Sequence, residues 1–546
     1  MATVLIDGKE VELAPGERLN GIQAAERVGI DIPRYCWHPG LSVVASCRMC
    51  LVETGTRDPK TGAITMLPKL VPACQTPATD NTVFVTNSKK VERSRAMVEE
   101  DLLIDHPIDC PICDKAGECY LQDYHFQYGQ VARRADVRPF TSRRREMGET
   151  VTLFVDRCVM CTRCVRFTRE ISGTSELFVI NRGAHEEIDV FPGYPLANKM
   201  SGNVVDLCPV GALGDKDFLY QQRVWFMKHH PGVCTGCSTG CSIDVEENLD
   251  MVYRLKPRAN PHVNQWWMCD EGRYGFHHVH SDRRLTIVER RDGESLVVLE
   301  WSQVVREIDE RFRDLRRVAV VLSPHLTVEE AYLLAKYARQ IDPRAMVVLG
   351  PVPVVGADET FKNGFTIRAE KCPNRRGVEE IVHHFMGRLA TLEDLLGGIE
   401  GGGIEAGEIG AVWVSGGYPH EWIERATAER LASVACLVVQ DLFASPLWER
   451  ATYRLPGAAF AEREGSYVNH ENRLQSVEWA IRPPAGVRVE GGVYGELLAI
   501  RGLVNARRVL DEVAKEIAFF SAAIDPVGPL GIDLKAPAIA EAATTT

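Results

Sequence analysis

The stretch Arg157-Cys158-Val159-Met160-Cys161-Thr162-Arg163-Cys164 decides how the rest of the chain is read. Three cysteines stand at every third position, and a fourth, Cys208, precedes Pro209 after 43 intervening residues. Zinc needs only two close cysteines per knuckle. A cube of iron and sulfide instead needs several soft thiolates on a wrapping loop, with backbone N–H groups turned to the sulfurs. Cys158, Cys161, Cys164 and Cys208 therefore predict a [4Fe–4S] site. It holds a single cluster, because no second close triplet follows.

Three more sets lie on either side. Downstream, Cys234, Cys237, Cys241 and Cys269 are spaced x2, x3 and x27. They predict another [4Fe–4S] cluster, with tetrahedral zinc as the competing occupant. Upstream, Cys110, Cys113 and Cys119 form a local trio whose fourth member is predicted to be His106. Neutral imidazole donates less charge than thiolate and should raise the potential of this [4Fe–4S] cluster; a helix-end histidine that merely caps or packs is the alternative. Earliest come Cys36, Cys47, Cys50 and Cys74, spaced x10, x2 and x23. One cysteine, a close pair and a distant fourth is the plant-type [2Fe–2S] layout with a lengthened first spacer.

What precedes Cys36 supports that assignment. Alternating runs Thr3–Ile6 and Lys9–Leu13 flank Asp7-Gly8, a type I′ hairpin signal. A helix follows over roughly Leu19–Val28, closed by Gly29. Hairpin, helix and cysteine loop make a β-grasp ferredoxin-type domain. A charged helical stretch, Ser88–Asp105, and an aromatic helix after Cys119 carry the His106 set.

The chain has 546 residues and 17 cysteines, and the cysteines are uneven. Only Cys372 and Cys436 follow residue 270, and they read as buried small hydrophobes. A net charge of −12 argues against nucleic acid as a partner. No apolar run reaches membrane-spanning length. The N-terminus alternates like a strand and lacks a signal peptide's charged and apolar regions. A cytoplasmic protein without direct membrane insertion is expected. Arg143-Arg144-Arg145 reads as a solvated linker or docking patch. His277-His278-Val279-His280 reads as a partly exposed stretch, and Trp266-Trp267 as packing over the last cysteine loop.

Beyond about residue 295, strands at Val318–Leu322, Ala345–Leu349, Ala411–Val414 and Ala435–Val439 alternate with helices such as Thr327–Arg339 and Gly377–Leu389. That alternation predicts a parallel sheet. Gly397–Gly410 reads as a flexible connector and Pro537–Thr546 as a disordered tail.

The motifs, in this order, resemble the large iron–sulfur subunit of bacterial respiratory complex I, the NADH–quinone oxidoreductase. The matching text is Tyr35-Cys36 with Ser46-Cys47-Arg48-Met49-Cys50; His106-Pro107-Ile108-Asp109-Cys110-Pro111-Ile112-Cys113-Asp114 through Gly117-Glu118-Cys119; Arg157–Cys164; and Cys208-Pro209-Val210-Gly211-Ala212-Leu213. The resemblance covers residues 1–290. It implies that His106 is a true ligand. It also implies that the [2Fe–2S] and the first two [4Fe–4S] clusters form the main electron path, with the fourth cluster off it. Implied partners are the FMN/NADH-binding subunit, the small 2Fe-2S subunit, and ferredoxin-like and quinone-module subunits. The implied place is the cytoplasmic face of the inner membrane, as a peripheral subunit.

The last cysteine loop opens a region similar to molybdopterin oxidoreductases, with Asp441, Leu455-Pro456, Glu464-Gly465-Ser466-Tyr467-Val468-Asn469, Arg473 and Gln475 as later matching text. This region is shorter than in those enzymes, so bound molybdopterin is not expected. The expected fold is thus α+β in the N-terminal part, followed by a shortened α/β molybdopterin-oxidoreductase-like domain. The expected domains are 1–87 (2Fe-2S β-grasp), 88–149 (His/Cys3 4Fe-4S), 150–228 (4Fe-4S ferredoxin-like), 229–290 (4Fe-4S), 291–536 (α/β) and the tail 537–546. Rival readings are an iron–sulfur subunit of an NAD-linked formate dehydrogenase or hydrogenase, and a zinc-stapled scaffold.

Overall fold

The computed structural model describes residues 2–132, 134–138, 140–183, 185–400 and 409–535. The tail 537–546, and most of the glycine-rich stretch 397–410, lie outside the described residues. The chain divides into two compact units: residues 1–227 with Phe361–Gly364, and residues 228–360 with 365–546.

The first unit begins with the expected hairpin. Strands Ala2–Ile6 and Lys9–Leu13 pair antiparallel, with Ile6 opposite Lys9. Asp7 and Gly8 both have positive φ, 47° and 84°, as a type I′ turn demands. Ala2–Ile6 also runs parallel to Thr82–Val85, which pairs with Leu51–Arg57 on its other side. Alternation puts Val4, Ile6, Val11 and Leu13 on one buried face against Ile22 and Phe84. This is a β-grasp sheet.

The helix under it is shorter than the sequence pattern suggests. Leu19–Asn20 is a short strand paired with Pro77–Ala78, and the helix covers Gly21–Glu26. The reason is local. Asn20 caps the helix through a capping box with Gln23. At the other end Gly29, at φ 72°, lets the Ile30 N–H close back on the Ala25 carbonyl.

Lys89–Asp105 is helical, capped by the Ser88 hydroxyl, and breaks at His106 in front of Pro107. Further on, Val151–Phe154 sits between Arg144–Glu146 and Leu213–Asp215 in a three-stranded sheet. The arginine run is therefore an edge strand, not a linker. Arg143 pairs with Asp156 and Glu187, and Arg145 with Glu187 and Asp189. Its charge is met within the unit, which leaves little for a docking patch.

The second unit opens with an antiparallel sheet of Lys228–Val233, Ser242–Asn248 and Met251–Pro257. Its larger sheet has seven strands, ordered Ser295–Val298, Glu289–Asp292, Tyr453–Pro456, Cys436–Asp441, Ala411–Ser415, Val318–Leu322 and Met346–Leu349. The five from Tyr453–Pro456 onward are mutually parallel. The four-strand run from Cys436–Asp441 to Met346–Leu349 is wholly buried, because crossover helices such as Val328–Ile341 and Arg375–Met386 cover it. Cys436 heads one of these strands, and Cys372 is likewise fully buried.

Candidate metal centres

The four predicted ligand sets fall on four loops, three in the first unit and one in the second. At the first, hydrogen bonds from the Cys47 and Cys74 thiols hold the Cys36 thiol far below its usual range. The same contacts drive Cys74 upward, and Cys50 also reaches it. Cys36, Cys47, Cys50 and Cys74 thus lie within reach of one another. The backbone N–H groups of Ser46 and Cys47 face the Cys36 sulfur. Ala45 and Arg48 lie on either side of Cys47 in the left-handed region, at φ 52° and 60°. Such backbone is costly for a side chain and turns amide donors inward.

His106, Cys110, Cys113 and Cys119 line one cavity with Arg157 and Gly211. Burial first, and the Arg157 guanidinium second, push His106 down to about 4. The ring is therefore neutral at physiological pH and has a lone pair to give. Burial pushes Cys119 up to about 11, opposed by the N–H groups of Gln122 and Leu121. Arg223 holds the loop by donating to the Cys110 and Cys113 carbonyls at 3.0 and 3.2 Å. A Cβ on Gly211 would stand 2.1 Å from the Cys113 sulfur, so this backbone leaves no room for a side chain.

Cys158, Cys161, Cys164 and Cys208 line an enclosed apolar pocket with Leu153, Ile188 and Ala212. Met160 and Thr162, between the cysteines, are both left-handed at φ 46° and 58°. The Met160 N–H donates to the Cys158 sulfur at 3.4 Å. Those of Arg163 and Val165 bear on Cys161 and Cys164.

Cys234, Cys237, Cys241 and Cys269 are all buried; burial first and the neighbouring cysteines second push the Cys234, Cys241 and Cys269 thiols upward. The Cys234 N–H bonds the Cys241 carbonyl at 2.9 Å and closes the neck of the loop. The Gly272 N–H donates to the Cys269 sulfur at 3.4 Å, and a Cβ there would lie 2.7 Å from the Cys234 sulfur. Trp267 is buried two residues before Cys269. His280 accepts from the Val252 N–H, and His278 donates to the Gly275 carbonyl, so these two rings serve the backbone.

The residues fit iron–sulfur clusters by donor type and by the amides turned to sulfur. Among the described residues, no three His, Cys, Asp or Glu donors close on a point that takes a single metal ion.

The second unit also holds a cavity of about 350 Å³ beside Cys234, lined among others by Lys371, His325, Tyr418 and Trp422. Three of the polar residues that carry the molybdopterin-enzyme likeness, Asp441, Asn469 and Gln475, are occupied by the unit's own groups. Asp441, pushed up to about 6 by burial, accepts from Gly417, Leu442 and Trp422. Gln475 bridges Ser242 and Gly240, and Asn469 accepts from Glu471 and Arg473.

Sequence reasoning proposes the ligand positions but gives no role to Gly211, Gly272 or Arg223. The two glycines stand beside motif cysteines that are remote in sequence. Arg223 acts on carbonyls more than a hundred residues away.

Comparison with known proteins agrees region by region. Residues 1–89 match the 2Fe-2S iron-sulfur cluster binding domain, and 95–134 the NADH-ubiquinone oxidoreductase-G iron-sulfur binding region. Residues 148–214 match the ferredoxin-like domain of NADH-quinone oxidoreductase subunit 3. Residues 227–281 match the molybdopterin oxidoreductase Fe4S4 domain, and 396–499 molybdopterin oxidoreductase. Each of the first four regions contains one complete ligand set.

The G-type subunit of NADH-quinone oxidoreductase from Rickettsia felis is 33% identical over 336 residues, 61% of this chain and 48% of its own length. That of Streptomyces coelicolor is 35% identical over 360 residues, 64% and 41%. That of Salmonella typhimurium is 34% identical over 340 residues, 61% and 36%. The chain thus spans about half the length, or less, of these relatives. A chain of an NAD+-reducing [NiFe]-hydrogenase is 26% identical with a TM-score of 0.34, covering 41% of this chain and 91% of that one; the shape match is too slight to argue from.

Proposed function

We propose that this homologue of the G-type NADH-quinone oxidoreductase subunits is an electron-relay subunit, passing electrons from an NADH- and FMN-bearing partner towards quinone in support of proton translocation. The observation that carries the reading is the coincidence of four matched regions with four convergent donor sets. Cys36, Cys47, Cys50 and Cys74 would hold a [2Fe–2S] cluster. His106 with Cys110, Cys113 and Cys119, Cys158 with Cys161, Cys164 and Cys208, and Cys234 with Cys237, Cys241 and Cys269 would each hold a [4Fe–4S] cluster. Bound clusters supply one-electron acceptor and donor states. The chain's own residues bury the sulfurs, aim amide donors at them and, at His106, exchange a thiolate for a neutral ring. Each of these tunes potential. A zinc scaffold fits less well, since zinc needs only two close cysteines per knuckle and Cys158, Cys161 and Cys164 stand as a close triplet.

The partners on this reading are the FMN/NADH-binding subunit, the small 2Fe-2S subunit, and ferredoxin-like and quinone-module subunits. No described helix is long and apolar enough to cross a membrane. A peripheral place on the cytoplasmic face of the inner membrane suits that. The molybdopterin-like region serves as structure without its cofactor. What supports this is that Asp441, Asn469 and Gln475 are already satisfied by the unit's own groups.

The test is rapid-freeze EPR on the assembled, anaerobically purified complex containing this chain. Cluster signals are expected to appear on adding NADH and to vanish on adding quinone. Intact clusters that ignore NADH would contradict the relay.

A further inference from the structure

Arg163 and Arg166 lie on the short helix Arg163–Phe167, inside the third ligand loop, and are only 5% and 3% exposed. Burying a guanidinium is strongly unfavourable unless an anion compensates it. Among the described residues, every hydrogen bond these two make goes to a backbone carbonyl. Arg163 donates to the carbonyls of Leu207 at 3.2 Å and Trp37 at 2.6 Å. Arg166 donates to those of Ser42, Cys36 and, at 3.2 Å, Cys161. The Nε of each is buried without a partner. Glu170, whose charge bears on Arg166, has its oxygens taken by Ser42 and Arg169.

The carbonyls they reach are not random. Cys36 is a ligand of the first set, and Trp37 adjoins it. Cys161 belongs to the third set, and Leu207 adjoins its Cys208. The Arg163 guanidinium also lies 5.6 Å over the ring of Tyr120, the residue after Cys119 of the second set. The Tyr120 N–H in turn bonds the carbonyl of Pro209, next to Cys208, at 2.9 Å. One pair of cations therefore touches the loops of three candidate clusters.

We infer that Arg163 and Arg166 are positioning residues for electron transfer, clamping the first, second and third cluster loops together and holding positive charge between them. The inference rests on the relay reading. Thiolate-bound clusters are anionic, and each electron adds one negative charge. They are the counter-ions required by two buried guanidiniums that are hydrogen-bonded to no carboxylate. The planar fork of arginine spans carbonyls on two loops at once, which a lysine ammonium does not.

The test uses Arg166→Gln, Arg163→Gln and Arg166→Lys in the assembled complex, each assayed first for iron and sulfide and then by redox titration with EPR. With iron at the parental level, both glutamine variants are expected to lower the midpoint potentials of the first and third clusters. The lysine variant should recover the potentials but weaken the magnetic interaction between reduced neighbours, because it keeps the charge and loosens the clamp. If Arg166→Gln fails to assemble, Arg163→Gln and Arg166→Lys carry the test. Full iron with parental potentials in the glutamine variants overturns the inference while leaving the relay standing. A parent protein without clusters overturns the relay itself.

Discussion

His106 shows what one side chain decides. The helix Lys89–Asp105 ends just before Pro107, which delivers the ring into the cavity shared with Cys110, Cys113 and Cys119. Burial and Arg157 keep it neutral. His106→Cys would exchange that neutral donor for a thiolate, and the potential of this cluster should fall by on the order of 100 mV. A redox titration that leaves it unmoved would remove His106 from the ligand set. Gly211 makes an independent test. Gly211→Ala places a methyl against the Cys113 sulfur, so the purified variant should lose the iron of this set alone, about four atoms. The candidate ligand sets could be proposed from sequence because cysteine spacing is a local property of the chain. Gly211, Arg223 and the Arg163–Arg166 pair could not, because their partners are brought in by folding.

At the scale of elements, the strongly patterned pieces were readable and their ends were not. The Asp7-Gly8 hairpin and the four parallel strands appear where alternation and apolar runs put them. The first helix loses its predicted start to a two-residue strand, and the arginine run becomes a paired edge strand. Leu19–Asn20 pairs with Pro77–Ala78 far along the chain, which local sequence does not show, although the Asn20–Gln23 capping box that starts the helix is local; the arginine strand pairs with its near neighbour Val151–Phe154 across a short turn.

The helix Val328–Ile341 carries two predictions. Thr327 and Glu330 form its capping box, so Thr327→Ala should destabilise the C-terminal unit by about 1 kcal/mol, read from that unit's urea transition. On the same helix, Glu329 accepts from the amide and hydroxyl of Ser466, and burial raises it from 4.5 to about 7. A raised carboxyl binds its proton more tightly when folded, so its contribution is full below pH 4.5 and is lost as pH rises through 7. Glu329→Gln is neutral throughout and can still bridge Ser466. The variant should therefore gain on the parent between pH 5 and 7. A pH-independent difference in urea midpoint would contradict this.

Over the whole molecule, the run of cysteines along the chain orders the candidate centres. The donor sets come in the order of the matched regions, one per region, and the cysteine-poor remainder builds a parallel sheet. That economy predicts a definite metal content. The direct test is iron and acid-labile sulfide analysis of the anaerobically purified protein, with low-temperature EPR of the reduced sample. About 14 irons with matching sulfide, and both two-iron and four-iron signals, are predicted from one [2Fe–2S] and three [4Fe–4S] clusters. About four zinc ions without sulfide would contradict the account and leave a scaffold in place of a relay.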